Sequence, residues 1–345
     1  MARICKWFGF ASLVAGIIFK RMKSVSIIIP ETAVIEAVAD PHYMFKAVNQ
    51  FLTASGKKPL FNVQLVGLKK EVKLENSLYT VHPEKLIGDV KKTDLIFIPA
   101  ISGDIKTALH LNKPFLPWII DQYNNGAELA SLCIGAFLLA DTGLLNGKKC
   151  SSHWNAANEF RALFPDVEFV DGSIITEENG IYSSGGANSY WSLLLYLVEK
   201  YTDRDTAILA SKYFAVDIDR DSQAAFMMFT GQKDHGDEDI LKAQNYIEEN
   251  FTEKITVDEL ADKFAIGRRS FERRFKKATN NTVIEYMQRV KIEAAKRSFE
   301  NSQKNISEVM FDVGYTDTKA FRTIFKKITG LTPVEYRNKY NKQAF

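Results

Sequence analysis

Cys133 is the residue whose surroundings could carry covalent chemistry. The stretch Ala127–Leu145 (AELASLCIGAFLLADTGLL) runs as an apolar strand to Leu132, then Cys133, then Gly135 and a helix. That order is the pattern of a nucleophile elbow, a strained turn that exposes one side chain above backbone N–H groups. A thiolate at a helix N-terminus is stabilised, which lowers its pKa. His153 follows 20 residues later in Cys150–Trp154 (CSSHW) and could act as base. Both residues have plainer uses. Cys133 is also a small side chain that suits a tight turn, and His153 is also a core histidine beside Trp154.

A second chemistry lies in the last hundred residues. Phe275–Tyr286 (FKKATNNTVIEY) recurs as Phe325–Tyr336 (FKKITGLTPVEY), with seven of 12 positions identical at an offset of 50. In the helix that begins each repeat, Phe271, Phe275 and Ala278 share one face, as do Phe321, Phe325 and Ile328. The opposite face carries Arg269, Arg273, Lys276 and Lys277 in the first copy, with only Glu272 intervening. The second carries Lys319, Thr323, Lys326 and Lys327, with Arg322 at the flank. Such groups suit phosphate oxygens and guanine edges, so these residues are expected to contact double-stranded DNA. A charge run more often marks a solvated face, but both of these follow a turn.

The elements that position those cations are legible. Thr256 with Glu259, and Asn305 with Glu308, form capping-box signatures. Each leads a short helix (Val257–Phe264, Ile306–Val313), a turn carrying Ile266-Gly267 or Gly314-Tyr315, and a second helix, the helix-turn-helix pattern. Val283, Tyr286, Met287, Val290 and Ala294 predict a connecting helix of about 17 residues, which could present both units to successive major grooves.

Upstream, Ser26–Pro30, Phe61–Leu68, Asp94–Pro99 and Ala127–Leu132 are short apolar runs that predict buried parallel strands. Tyr43–Thr53 and Lys113–Tyr123 are helix-compatible, Val167–Val170, Ile174–Thr176 and Ile181–Ser183 predict further strands, and Trp191–Tyr201 a buried helix. The predicted fold is α/β, a mostly parallel sheet sandwiched by helices, followed by an all-α domain with two helix-turn-helix units. The predicted boundaries are residues 24–215, a linker over 216–237 centred on Met227–Asp237, and residues 238–345.

Charge follows the same division. Residues 238–345 hold 21 Lys and Arg against 16 Asp and Glu, whereas residues 1–237 hold 24 against 26. A basic C-terminal part fits a nucleic-acid partner. Three cysteines (Cys5, Cys133, Cys150) are too few and scattered for a disulfide framework or zinc site, and a reducing cytoplasm is expected. Trp7–Phe19 is an apolar run of 13 residues, short of the roughly 20 a spanning helix needs. No small-x-small cleavage site follows it. Residues 1–23 therefore predict an extension, or a start that belongs at Met22, with a membrane tether as the other reading.

Residues from about 238 to 340 resemble the AraC-type DNA-binding domain, most specifically over Val313–Arg337 (VGYTDTKAFRTIFKKITGLTPVEYR). The first unit departs from that pattern at Gly267, where Ser or Thr usually caps, and at Val283, where the second copy has Pro333. Glycine caps at a cost of about a few tenths of a kcal/mol. Ser131–His153 resembles the class I glutamine amidotransferase-like superfamily, in the branch with intracellular-peptidase-like proteins and isonitrile hydratase, and the likeness extends over residues 24–215. Asp219–Phe226 (DRDSQAAF) resembles the segment that joins the two domains in regulators of this kind, so the whole resembles a GlxA-type regulator.

The resemblance implies a flavodoxin- or amidotransferase-like sheet with a pocket at its C-terminal edge. Its rim would be Cys133, Ile134, His153 and the Gly185-Gly186 turn. The implied effector is a small amine or amino-acid-like molecule, and the implied assembly a homodimer that meets RNA polymerase if it activates. Related hydratases place Thr after the cysteine, where this chain has Ile134. They also carry an acid before a Gly-Pro near the first helix; in Ile35–Pro41 (IEAVADP), Ala37 lies nearest that place, Glu36 is adjacent, and Asp40 replaces the glycine. The expected protein is thus a regulator with no catalytic residue, cofactor or metal, Cys133 and His153 being vestigial. The alternative is a cysteine-dependent hydratase- or glyoxalase-like enzyme with a DNA-binding tail.

Overall fold

The computed structural model describes residues 21–218, 222–233 and 235–341. The apolar run Trp7–Phe19 lies outside them, as do residues 219–221 of the joining segment. The chain begins with β1 (Lys23–Ile28), α1 (Ile35–Ala54), β2 (Phe61–Gly67), the hairpin β3 (Val72–Leu74) and β4 (Tyr79–Val81), and β5 (Lys85–Leu86). Then come β6 (Leu95–Ile98), α2 (Ile105–Asn112), α3 (Phe115–Asn124), β7 (Glu128–Ser131) and α4 (Gly135–Asp141). β8 (Lys149–Cys150), α5 (Ala157–Leu163), β9 (Glu168–Phe169), β10 (Ile175–Glu178), β11 (Ile181–Ser184), α6 (Tyr190–Tyr201) and α7 (Arg204–Phe214) follow.

Seven strands form one sheet in the order β10-β11-β7-β6-β1-β2-β5, parallel except for β10 against β11. Alternating residues feed two cores, as a period of two demands. Val25, Ile27, Phe97 and Ala130 pack with α1 and α6 through Phe45, Val48 and Leu194. Ile28, Ile96, Ile98 and Leu129 pack on the other face with Phe115, Ile119, Phe137 and Phe160. The hairpin β3-β4 and helix α7 were not foreseen, and α1 starts eight residues before the predicted segment and continues through Pro41.

The helical part consists of α8 (Glu238–Glu249), α9 (Val257–Lys263), α10 (Arg268–Thr279), α11 (Val283–Asn301), α12 (Ile306–Asp312), α13 (Thr318–Thr329) and α14 (Pro333–Tyr340). Each repeat has its own core. Leu260, Phe271, Phe275 and Tyr286 anchor the first, and Val309, Phe321, Phe325 and Tyr336 the second. The repeat extends to polar detail: Tyr286 donates to Glu248 and Tyr336 to Glu300, both at 2.5 Å. α11 spans both units with 19 residues, about 28 Å, two more than predicted. Among the described residues no helix is long and apolar enough to cross a membrane.

Candidate DNA interface and elbow site

Both capping boxes form. Thr256 Oγ1 accepts from the Glu259 N–H at 3.2 Å and Asn305 Oδ1 from the Glu308 N–H at 2.9 Å. Thr282 with Glu285, and Thr332 with Glu335, repeat the device at the starts of α11 and α14. The turns differ from expectation. In the second unit Gly314 takes the left-handed conformation, and a Cβ there would collide with the Thr252 carbonyl. In the first unit the left-handed residue is Ala265 (φ 52°), not Gly267, which instead caps α10 with an ordinary φ. α13 is capped by Asp317, whose carboxylate accepts from the Ala320 N–H at 2.5 Å.

Phe271, Phe275, Phe321 and Phe325 are fully buried and Ala278 is buried, whereas Ile328 is only half-buried. Arg269, Arg273, Lys276, Lys277, Lys319, Arg322, Thr323, Lys326 and Lys327 are all exposed. Among the described residues none of these cations has an ion pair, although their neighbours do. Arg268 pairs with Asp258 and Glu272, and Arg274 with Asp237 and Asp239. Folding thus sorts the arginines of α10 into two that brace the domain and two whose charge faces water.

At the elbow, β7 delivers Cys133 to the C-terminal edge of the sheet with φ at 55°, the strained conformation that the motif requires. Gly135 is obligatory, because a Cβ would press on the carbonyls of Ile98 and Pro99. The Ser184 hydroxyl accepts from the Cys133 N–H at 3.3 Å, and the Ser152 hydroxyl donates to the Cys133 carbonyl at 2.9 Å. Burial pushes the Cys133 thiol up, more than backbone hydrogen bonds from Ala187 and Ile134 lower it. This reverses the expected lowering at a helix terminus, since burial of the sulfur outweighs the hydrogen bonds that favour the thiolate. Burial likewise lowers His153, whose Nδ1 accepts from the Asn155 N–H at 3.1 Å. Among the described residues no hydrogen bond joins His153 to Cys133.

His153 does meet the glycine turn: a Cβ on Gly186 would strike its ring. Ile134 is half-buried and packs between the two cores. Asp40, which sequence reasoning set aside, accepts from the Tyr190 hydroxyl at 2.5 Å, and Tyr190 lies within electrostatic reach of Cys133. The partner of Asp40 arrives 150 residues later on α6, so no local motif announces it. Gly185 faces the buried carboxamide of Gln223, so this side of the expected rim is filled.

The fold and the site together define an elbow-bearing α/β domain followed by a tandem helix-turn-helix module. The DJ-1/PfpI family model matches residues 24–200, just over half of the chain, and a helix-turn-helix domain model matches residues 260–339. The chain belongs to the DJ-1/PfpI family and carries an AraC-type helix-turn-helix domain behind that unit. It is 24% identical over 243 residues to the HTH-type transcriptional regulator GbdR of Pseudomonas aeruginosa, covering 69% of this chain and 65% of GbdR. It is 25% identical over 215 residues to the HTH-type transcriptional regulator ArgR of the same organism, covering 62% of this chain and 65% of ArgR. The matched stretch is thus just under two thirds of those relatives' own length. A crystal structure of a putative transcriptional regulator protein from Vibrio parahaemolyticus has the same α/β fold, with TM-score 0.51 and 19% identity over 56% of this chain and 99% of that one.

Proposed function

We propose that the protein is a sequence-specific, DNA-binding transcriptional regulator. The observation that carries this reading is the pair of exposed cationic faces, on α10 and α13, presented by two copies of one helix-turn-helix unit. Arg269, Arg273, Lys276, Lys277, Lys319, Arg322, Thr323 and Lys326 would meet double-stranded DNA. α11 would hold the two units about one helical turn (~34 Å) apart along the duplex. The names of GbdR and ArgR support the same class.

Residues 24–215 would act as a sensor, 216–237 as a linker and 238–345 as the DNA-binding domain. A small amine or amino-acid-like effector would bind by Cys133, Ile134, His153, Gly185 and Gly186. Two chains would act as a homodimer in the cytoplasm, meeting RNA polymerase if the protein activates. Turnover at Cys133 is not part of this reading, because a buried thiol with a raised pKa and no imidazole hydrogen bond is a poor nucleophile.

Genome-wide capture of DNA by the purified protein at two salt concentrations tests it. Enrichment of a few discrete sites that survive the higher salt is expected. Diffuse, salt-labile capture alone would overturn the reading.

A further inference from the structure

The segment after α7 inserts one side chain beside the elbow. Gln223 is 2% exposed. Its Nε2 donates to the carbonyls of Ser152 and Ser173, each at 3.1 Å, and its Oε1 accepts from the Gly186 N–H at 3.1 Å. Two acceptors and one donor therefore converge on a single primary carboxamide and satisfy its polar atoms. A carboxylate there would face two carbonyl oxygens, and a hydrocarbon would leave three backbone groups unpaired. Gly185 makes the room, since a Cβ on it would lie 2.7 Å from Cδ and Nε2 of Gln223. The cradle adjoins the elbow: Ser152 supplies one wall and also holds the Cys133 carbonyl.

The residues around Gln223 reach the other domain. Ser222 Oγ and Ala224 Cβ lie within 3.9 Å of where a Cβ on Gly330 would stand, at the end of α13. Tyr340 donates to the Ala225 carbonyl at 3.1 Å, and the Lys339 ammonium sits 4.6 Å from the Phe226 ring centre. Further on, Lys296 donates to the Met227 carbonyl at 2.5 Å, and Glu293 accepts from the Phe229 N–H at 3.1 Å. Residues 222–229 are thus held to the elbow domain through the buried Gln223 carboxamide, with the Gln223 N–H and the Ser222 hydroxyl also donating to the Gly172 carbonyl at 2.9 and 3.3 Å, and at several points to the second helix-turn-helix unit and α11.

We propose that the cradle of Ser152, Ser173 and Gly186 is an effector subsite for a primary carboxamide, filled by the chain's own Gln223, and that a ligand amide displacing Gln223 uncouples residues 222–229 from the elbow domain. This rests on the regulator reading, to which it adds a ligand class and a route to the DNA-binding units. A tethered occupant has an effective concentration of roughly millimolar or more. A free ligand therefore wins only by adding contacts, and the Cys133 and His153 rim is where it would make them. Such a ligand favours the uncoupled state because only that state offers it the cradle.

Acetamide is the fragment that Gln223→Ala removes, so the full-length variant tests the cradle directly. Chymotrypsin should cut residues 222–233 of Gln223→Ala about tenfold faster than in the wild type, as lost hydrogen bonds raise the open population. In Gln223→Ala, unlike the wild type, the cradle is vacant while the segment is seated, so an amide enclosed there stabilises the seated state. Saturating acetamide should restore the wild-type rate, and acetate should not. Gln223→Glu should be cut as fast as the alanine variant and ignore acetamide. Should the alanine variant not fold, Gln223→Met, which keeps the length and lacks the amide, replaces it, with faster cutting than wild type expected. Wild-type protection in the substituted protein, or equal effects of acetamide and acetate on Gln223→Ala, would overturn the subsite. DNA capture by the wild type is read separately. Discrete sites without acetamide rescue sink the subsite alone, and rescue without discrete sites sinks the regulator reading alone.

Discussion

Single residues here take their roles from burial. Cys133 and Cys150 are both inside, and burial pushes the Cys150 thiol up to about 12 and Cys133 in the same direction. Alkylation by iodoacetamide should therefore be slower at Cys133 than at free cysteine and should keep rising with pH beyond 9. A plateau near neutral pH would mean an activated thiolate and return the elbow to catalysis. Arg269, Arg273, Lys276 and Lys277 of α10 and the cations of α13 are the opposite case, exposed and, among the described residues, without ion pairs. Arg273→Ala and Lys319→Ala should leave the fold intact and each weaken DNA binding. A lost base contact would cost about 1–3 kcal/mol, and a lost phosphate contact would lower the salt slope by about one. Unchanged affinity in both variants, measured by titration against a captured site, would remove the groove assignment.

At the scale of elements, the two units solve one turn with different residues. Gly314 adopts the left-handed conformation without strain, whereas the exposed Ala265 pays for it with its Cβ. Ala265→Gly should stabilise the first unit by about 0.5–1 kcal/mol once the added chain entropy of glycine is set against the relieved strain. Denaturant unfolding would show it as a raised midpoint with unchanged slope. α7 depends on a charged cap. Hydrogen bonds from the Thr206 hydroxyl and amide, then Lys57, hold the Asp203 carboxyl at about 2, below its ordinary 3.8. A folded value below the unfolded one means that folding favours the ionised form. Its stabilisation is full above about pH 4 and fades as pH falls through about 2. Asp203→Asn should flatten that acid limb of the stability curve, and an unaltered limb would show that the cap contributes nothing.

For the whole molecule, the buried pair of Lys296 and Glu293 matters most, since both partners also bind the backbone of the joining segment. Lys296→Ala leaves Glu293 buried without its cation and should destabilise by about 3–5 kcal/mol in chemical unfolding. Because Lys296 also holds the Met227 carbonyl, protease should reach residues 227–233 at concentrations that spare the wild type. A loss below about 1 kcal/mol would show that the joining segment is not clamped through this pair.

Much was determined by the sequence alone, wherever the physics is local or periodic. Short apolar runs announced the central strands, the 50-residue offset announced two equivalent helical units, and Thr256 and Asn305 with their glutamates announced helix starts. The free faces of α10 and α13 were legible because helical geometry places residues three and four apart together. Only the tertiary structure decided which turn residue is left-handed, since Ala265 gives no local sign of it. It also decided that Arg268 and Arg274 are spent on ion pairs while Arg269 and Arg273 are not. Asp40 meeting Tyr190, and Gln223 entering the glycine turn, depend on segments 150 and about 40 residues apart in the chain. Those contacts are chosen by the packing of the whole sheet, and no window of sequence contains both partners.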